Sequence, residues 1–214
     1  MNSAMKVNEI RRIDTNYRVV PNPDPPLNDG GDCGPCVLAG LCGVSVQEAY
    51  QELLEFEEPR AATWSQMSKA ARRASRQGFL SDCITKVPLW PPKRPDTLTW
   101  GLDAALQSSH WNNYIKMALQ GGYAGIAHVD MHREGGPLTN HWLAIVGWRH
   151  SEETDWCGKG PDEGGDVRKV TSHTSELLLS CSARQTNDEE WIEVSDFLET
   201  MGGFNVILAK PKEN

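Results

Sequence analysis

The chain has no run of about eighteen consecutive apolar residues, the length that a membrane-spanning helix needs, so no helix of this kind is expected. A basic excess is missing too: 21 Lys and Arg stand against 29 Asp and Glu, for a formal net charge of −8. That sign of charge gives no general attraction to phosphate backbones or anionic lipid surfaces, so neither nucleic acid nor membrane is an expected partner. Residues 1–20 contain no continuous apolar segment such as a secretory signal carries; the expected compartment is cytoplasmic, with signal-less export left open. Neither an internal repeat nor a glycine-rich phosphate loop is found. The six cysteines (33, 36, 42, 83, 157 and 181) are even in number, but disulfide frameworks belong mainly to short secreted chains, so the thiols are read as reduced.

What the chain does have is Asp29-Gly30-Gly31-Asp32-Cys33-Gly34-Pro35-Cys36 running straight into Val37-Leu38-Ala39-Gly40-Leu41-Cys42. A cysteine stands where a glycine-rich loop becomes an apolar helix. Proline suits the first helical turn, whose N–H groups lack intrahelical partners, so Pro35 fixes the helix start next to Cys33. A thiol there lies at the positive end of the helix dipole, which favours the nucleophilic thiolate. Cys33 is the candidate nucleophile, and the backbone around Gly34 is free to bring N–H groups close to a substrate oxygen. Cys36 and Cys42 are read as small core hydrophobes.

Length and composition suit one domain of two lobes. Residues 1–28, with Pro21, Pro23, Pro25 and Pro26, read as an extended N-terminal arm, and 29–214 as the domain proper. Within it, 29–120 reads as helical: about Gly34 to Cys42, then Ser45 to about Phe56, then from Thr63 to a point before Gly78, then Leu98 to Leu106 and Asn112 to Leu119. Ser45–Glu48 and Thr63–Gln66 have capping-box spacing, and Gly121-Gly122 stops the last helix. From 121 the period changes. Tyr123–Val129, Trp142–Trp148, Leu177–Leu179 and Phe204–Ala209 read as strands, with a short helix at Ser195–Glu199. Ser151 to Ser175 is polar and acidic with almost no aliphatic residue, and reads as a long exposed loop. Helices first and strands afterwards give an α+β fold with a helical lobe on an antiparallel sheet.

A cysteine nucleophile needs a base, which usually comes from a distant part of the chain. Of the six histidines, His141 is placed best: it opens a strongly apolar strand just after a loop containing Gly135-Gly136. His110 and His128 read as packing partners of aromatic or strand neighbours, His132 and His150 as solvated, and His173 as part of the exposed loop. Trp142 and Trp148 are expected to pack on the sheet, while Trp90 and Trp156 adjoin loops. Cys33-x-x-Cys36 has the spacing of metal sites and of thioredoxins. No second ligand pair follows, Cys157 and His173 are isolated, and no βαβ pattern precedes the motif, so no metal and no cofactor is expected.

Cys33-Gly34-Pro35 at a helix start, Gly78-Phe79, Gly121-Gly122 before a strand, and His141-Trp142-Leu143-Ala144-Ile145-Val146-Gly147-Trp148 together resemble the papain-like cysteine peptidases. Within them, the double-glycine (bacteriocin-processing) peptidase-like proteins are most similar. The resemblance spans about Asn28 to Trp148 and implies a papain-like fold. It implies that Cys33 attacks an amide or thioester carbonyl, that His141 takes the thiol proton and later protonates the leaving group, and that backbone N–H groups near Cys33 hold the oxyanion. The substrate would be a protein or peptide. Deamidation of glutamine, acyl transfer by the same Cys–His pair, or a binding module without turnover are the alternatives.

Two positions depart from that family pattern. Leu27 stands where an oxyanion-donating glutamine is common, leaving Asn28 as the nearby amide donor. Where the family places Asp or Asn to orient the histidine, this chain reads Ser180-Cys181-Ser182. The expected arrangement is a Cys–His dyad with a serine, Ser182 first, or a water as orienter, and with Ser180, Asp155 and Asn187 as alternatives.

Overall fold

The computed structural model describes residues 4–11, 20–21, 23–27, 31–85, 112–131, 139–157, 168–180, 190–200 and 206–212. The expected helix at Leu98–Leu106 lies outside them. In chain order the elements are β1 (Ala4–Arg11), α1 (Cys33–Cys42), α2 (Val46–Glu48) continued by a π-helical turn (Ala49–Leu53), α3 (Trp64–Arg76), β2 (Leu80–Ile84), α4 (112–120), β3 (Ala124–Met131), β4 (Thr139–Cys157), β5 (Arg168–Ser180), β6 (Glu190–Glu193), α5 (Val194–Thr200) and β7 (Val206–Pro211). The fold is α+β.

Local chemistry explains the helix boundaries. Ser45 Oγ accepts from Glu48 N at 3.1 Å while Glu48 Oε2 accepts from Ser45 N at 2.7 Å, and Thr63 and Gln66 repeat the exchange at the head of α3. Gly122, at φ +87°, turns the chain out of α4 as Tyr123 N reaches back to Ala118 O at 3.0 Å. Nine residues of α1 are buried, as a helix apolar on all sides must be.

The seven strands form one sheet in the order β2-β7-β3-β4-β5-β6, with β1 added on β4, and every pairing is antiparallel. β4 is the spine. Along one edge it pairs first with β3 (139–145) and then with β1 (147–154); along the other edge it pairs with β5. Both faces are covered. Ala124, Ile126, Trp142, Ala144, Val146, Leu178 and Ile207 pack with α1, the π turn and α3. Ala127, Val129, Leu143, Ile145, Trp148 and Leu177 pack with Ile115 and Leu119 of α4 and with Val194 and Phe197 of α5.

Three expectations are corrected here. The arm at 1–28 is partly built into the sheet, since Ala4–Arg11 pairs with β4. That strand exists because β4 offers an unpaired edge, which only the tertiary structure supplies. The stretch 29–120 is not one helical lobe: β2 joins β7, and α4 covers the sheet face opposite α1. Ser151–Ser175 is not a loop at its ends. Residues 151–157 and 168–175 continue β4 and β5 as a hairpin, with Thr154 paired to Thr171 and Glu152 to His173. Its strands extend past the core, so most of their side chains are exposed or only half-buried and no apolar alternation marks them.

A β-bulge divides β4. Ile145 pairs with Leu179 but Gly147 pairs with Leu178, so Val146 is the extra residue. Before it, Leu143 and Ile145 face α4; after it, alternation is reset and Trp148 faces α4 as well. Gly147 is required at this point because a Cβ would stand 2.8 Å from Leu178 Cβ and 3.1 Å from Ile10 O.

Candidate active site

Cys33 is the first residue of α1 and 9% exposed; His141 lies near the start of β4 and is 8% exposed. Although remote in sequence, the two are brought to one place. The backbone N–H of Trp142 donates to Cys33 Sγ at 3.4 Å. Two covalent bonds separate that nitrogen from the Cα of His141, so the sulfur lies no more than about 6 Å from it. Strand N–H groups point along the sheet rather than out of it, and β5 among the described residues pairs no closer to this end of β4 than Ala144 with Ser180. The sulfur therefore sits beside the strand, level with its backbone. Pleating turns Trp142 toward α1, and His141 with its cross-strand partner Val129 toward the α4 face.

Gly34 permits this approach. A Cβ there would come 3.1 Å from Met67 Sδ and 3.2 Å from Trp142 Cδ1. The Trp142 indole fixes the junction: Nε1 donates to Ala62 O at 2.9 Å, Trp64 stacks on the ring at 5.8 Å between centroids, and His128 tilts against it at 4.6 Å. His128 is thus found packed on an aromatic ring.

Asp32 has a structural role at this junction that its place at a helix start does not reveal. It is fully buried and directly precedes Cys33, yet its carboxylate does not cap α1. Oδ2 accepts from Leu27 N at 2.9 Å and Oδ1 accepts from Tyr50 OH at 2.5 Å, so the carboxylate clamps the turn that delivers Cys33 onto the π-helical turn. The only sequence signal is an Asp at a helix start, which ordinarily means a cap.

The other described thiols are all held above the ordinary thiol range, chiefly by burial. Burial, with added repulsion from the neighbouring Asp32 carboxylate and from Cys33, pushes Cys36 up to about 12. Burial, with Cys83 nearby, pushes Cys42 up to about 12; burial and the Asp82 carboxylate push Cys83 up to about 11. Cys36 is completely buried in the core; Cys42 packs against it while partly accessible. All four described cysteines (33, 36, 42 and 83) are free thiols.

The remaining expected residues fare unequally. Ser180 pairs with Ala144, so it stands on the α1 side and three residues along β4 from His141. Asp155 pairs with Val170 far out on the hairpin, fourteen residues from His141, roughly 45 Å at strand spacing; it cannot orient that ring. Asn28, Ser182 and Asn187 lie outside the described residues, as do His110, His132 and Trp90. His150 is not simply solvated: it is half-buried and stacked between Trp148 (6.0 Å) and His173 (5.6 Å).

Compared with models of known protein families, with curated proteins and with solved structures, the chain shows no match. No helix among the described residues is long and apolar enough to cross a membrane.

Proposed function

We propose that the protein is a papain-like cysteine hydrolase that cleaves an amide bond, peptide or isopeptide, in a protein or peptide substrate. The reading rests on one observation: Cys33 Sγ, at a helix N-terminus, accepts a hydrogen bond from the residue that follows His141. Cys33 is the nucleophile and His141 the base that removes its proton and later protonates the leaving amine. The Trp142 N–H contact favours negative charge on sulfur, as does the dipole of α1. As the sulfur bonds to the carbonyl carbon, the C=O π pair moves onto the oxygen, and this oxyanion would face the start of α1, whose first-turn N–H groups find no acceptor within the helix. The thioacyl intermediate passes to water, and a nearby amine would receive the acyl group by the same route.

Alkylation tests this reading. In the full chain near pH 8, iodoacetamide is expected to modify Cys33 at least about 100-fold faster than Cys36, Cys42 or Cys83, because thiols held at about 11 to 12 are then ionised only to about one part in 10³ to 10⁴. The sign is fixed by the raised values: these three gain reactivity only as pH approaches 11 to 12. Cys33→Ala is expected to remove both the fast label and hydrolysis of a peptide substrate. Uniform slow labelling of all the thiols would overturn the assignment.

A further inference from the structure

A second cluster of reactive side chains lies on the β4–β5 hairpin, far from Cys33. His150 and Glu152 are two apart on β4 and so share a face, and His173 pairs directly with Glu152 across the ladder. One ligand atom from each (an imidazole nitrogen of either histidine and a carboxylate oxygen) lies within 4.8 Å of the others, and His150 Nε2 is 3.8 Å from Glu152 Oε1. The bulge at Val146 makes the cluster possible. By resetting the alternation it sends Trp148, and with it His150 and Glu152, to the face that α4 covers.

We propose that His150, Glu152 and His173 form a binding site for a divalent first-row transition cation, of which zinc(II) is the type. Two imidazoles and one carboxylate, without thiolate, make a donor set that zinc takes with three protein ligands and one open position. Bonds of about 2.1 Å in a tetrahedron place ligand atoms about 3.4 Å apart, so the cluster closes on a cation by small side-chain rotations. The surroundings of His150 also match a ligand. Its Nδ1 is 2.9 Å from Ser175 Oγ, and with the proton on Nδ1 the lone pair of Nε2 faces Glu152. Ser175 Oγ is itself held by Asn112 Nδ2 at 2.9 Å, and Asn112 Oδ1 accepts from Trp148 Nε1 at 2.5 Å. The imidazole is thus oriented by a chain of hydrogen bonds running back to α4.

The site is structural rather than part of the Cys33 chemistry. His150 is nine residues along β4 from His141, roughly 30 Å at strand spacing. A cation there ties β4 to β5 where the hairpin has left the core, and binding only to the folded hairpin would stabilise it.

The test uses the full chain after EDTA treatment, titrated with zinc chloride alone against a chromophoric chelator. One zinc per chain is expected, with affinity falling at least about 10-fold in His150→Ala and in His173→Ala and about 10-fold in Ser175→Ala. Cobalt(II) in place of zinc is expected to give ligand-field bands with no thiolate charge transfer, and Cys33→Ala/Cys36→Ala is expected to bind as the parent does. Unchanged affinity in both histidine variants, or loss of binding in the cysteine variant, would overturn the site; unchanged affinity in Ser175→Ala would overturn the orienting role of that hydroxyl.

Discussion

The two halves of β4 are one continuous strand built on opposite chemistry. From His141 to Trp148 every residue is buried, with helices on both faces; from His150 onward the described side chains are half-buried or exposed. The first half carries Trp142, Leu143, Ala144, Ile145 and Val146, an unbroken apolar run of the kind a strand needs when both its faces are covered. The second half reads His-Ser-Glu-Glu-Thr and holds its place by ladder hydrogen bonds to β1 and β5 and by pairs such as the Arg149–Glu176 ion pair. Hydrophobic pattern therefore reports burial, and reports a strand only where a strand is buried. The same division separates the two proposed chemistries: a proposed nucleophile sheltered by packing at one end, an open cluster of candidate ligating side chains at the other.

The sharpest separation comes from one histidine in each half. His141→Ala is expected to slow both Cys33 alkylation near neutral pH and peptide hydrolysis by about 10² to 10⁴-fold, the usual worth of a general base. His150→Ala is expected to leave both within about twofold, because roughly 30 Å of strand intervene. Equal losses in the two variants would show that the halves act as one site.

Stability divides in the same way. Ile145 is fully buried against α4 and α5, so Ile145→Ala is expected to cost about 2 to 5 kcal/mol in urea unfolding followed by circular dichroism. At the border, Gly147→Ala is expected to cost about 1 to 3 kcal/mol, since the new methyl group meets Leu178 Cβ at 2.8 Å and the carbonyl of Ile10 at 3.1 Å. A neutral Gly147→Ala would mean that the bulge relaxes freely and does not hold the two halves in register.

Much of this was legible in the residues, in proportion to how local the cause was. The capping boxes of Ser45–Glu48 and Thr63–Gln66, the glycine stop after α4 and the apolar runs of β3, β4 and β7 each carry their signal within a few residues, and the elements fall where that signal puts them. What could not be read depends on a distant partner. β1 forms because β4 has an edge to fill; β2 forms against β7; the bulge at Val146 is a mismatch between two strands whose one trace in the sequence is Gly147. At the candidate site, Cys33 and His141 were singled out from residue type and context, and the fold brings the sulfur beside the His141–Trp142 backbone. The Asp32 clamp on Leu27 and Tyr50 was not, because its partner Tyr50 lies on a helix whose position relative to α1 is set by packing. His173 looked isolated for the same reason: its neighbours His150 and Glu152 are reached across a hairpin that the polar composition concealed.

The smallest expected effect is at Thr154, near the far end of the comparison. Its hydroxyl lies 3.3 Å from that of Thr171 across the ladder, an exposed pair of a kind worth a few tenths of a kcal/mol. No core contact is lost on truncation, so Thr154→Ala is expected to change unfolding free energy by no more than about 0.5 kcal/mol. The contrast with Ile145→Ala, nine residues away on the same strand, then measures what burial contributes beyond backbone pairing. If Thr154→Ala instead cost as much as Ile145→Ala, the hairpin would be a cooperative part of the folding core. Its polar composition would then have to be explained by something other than exposure.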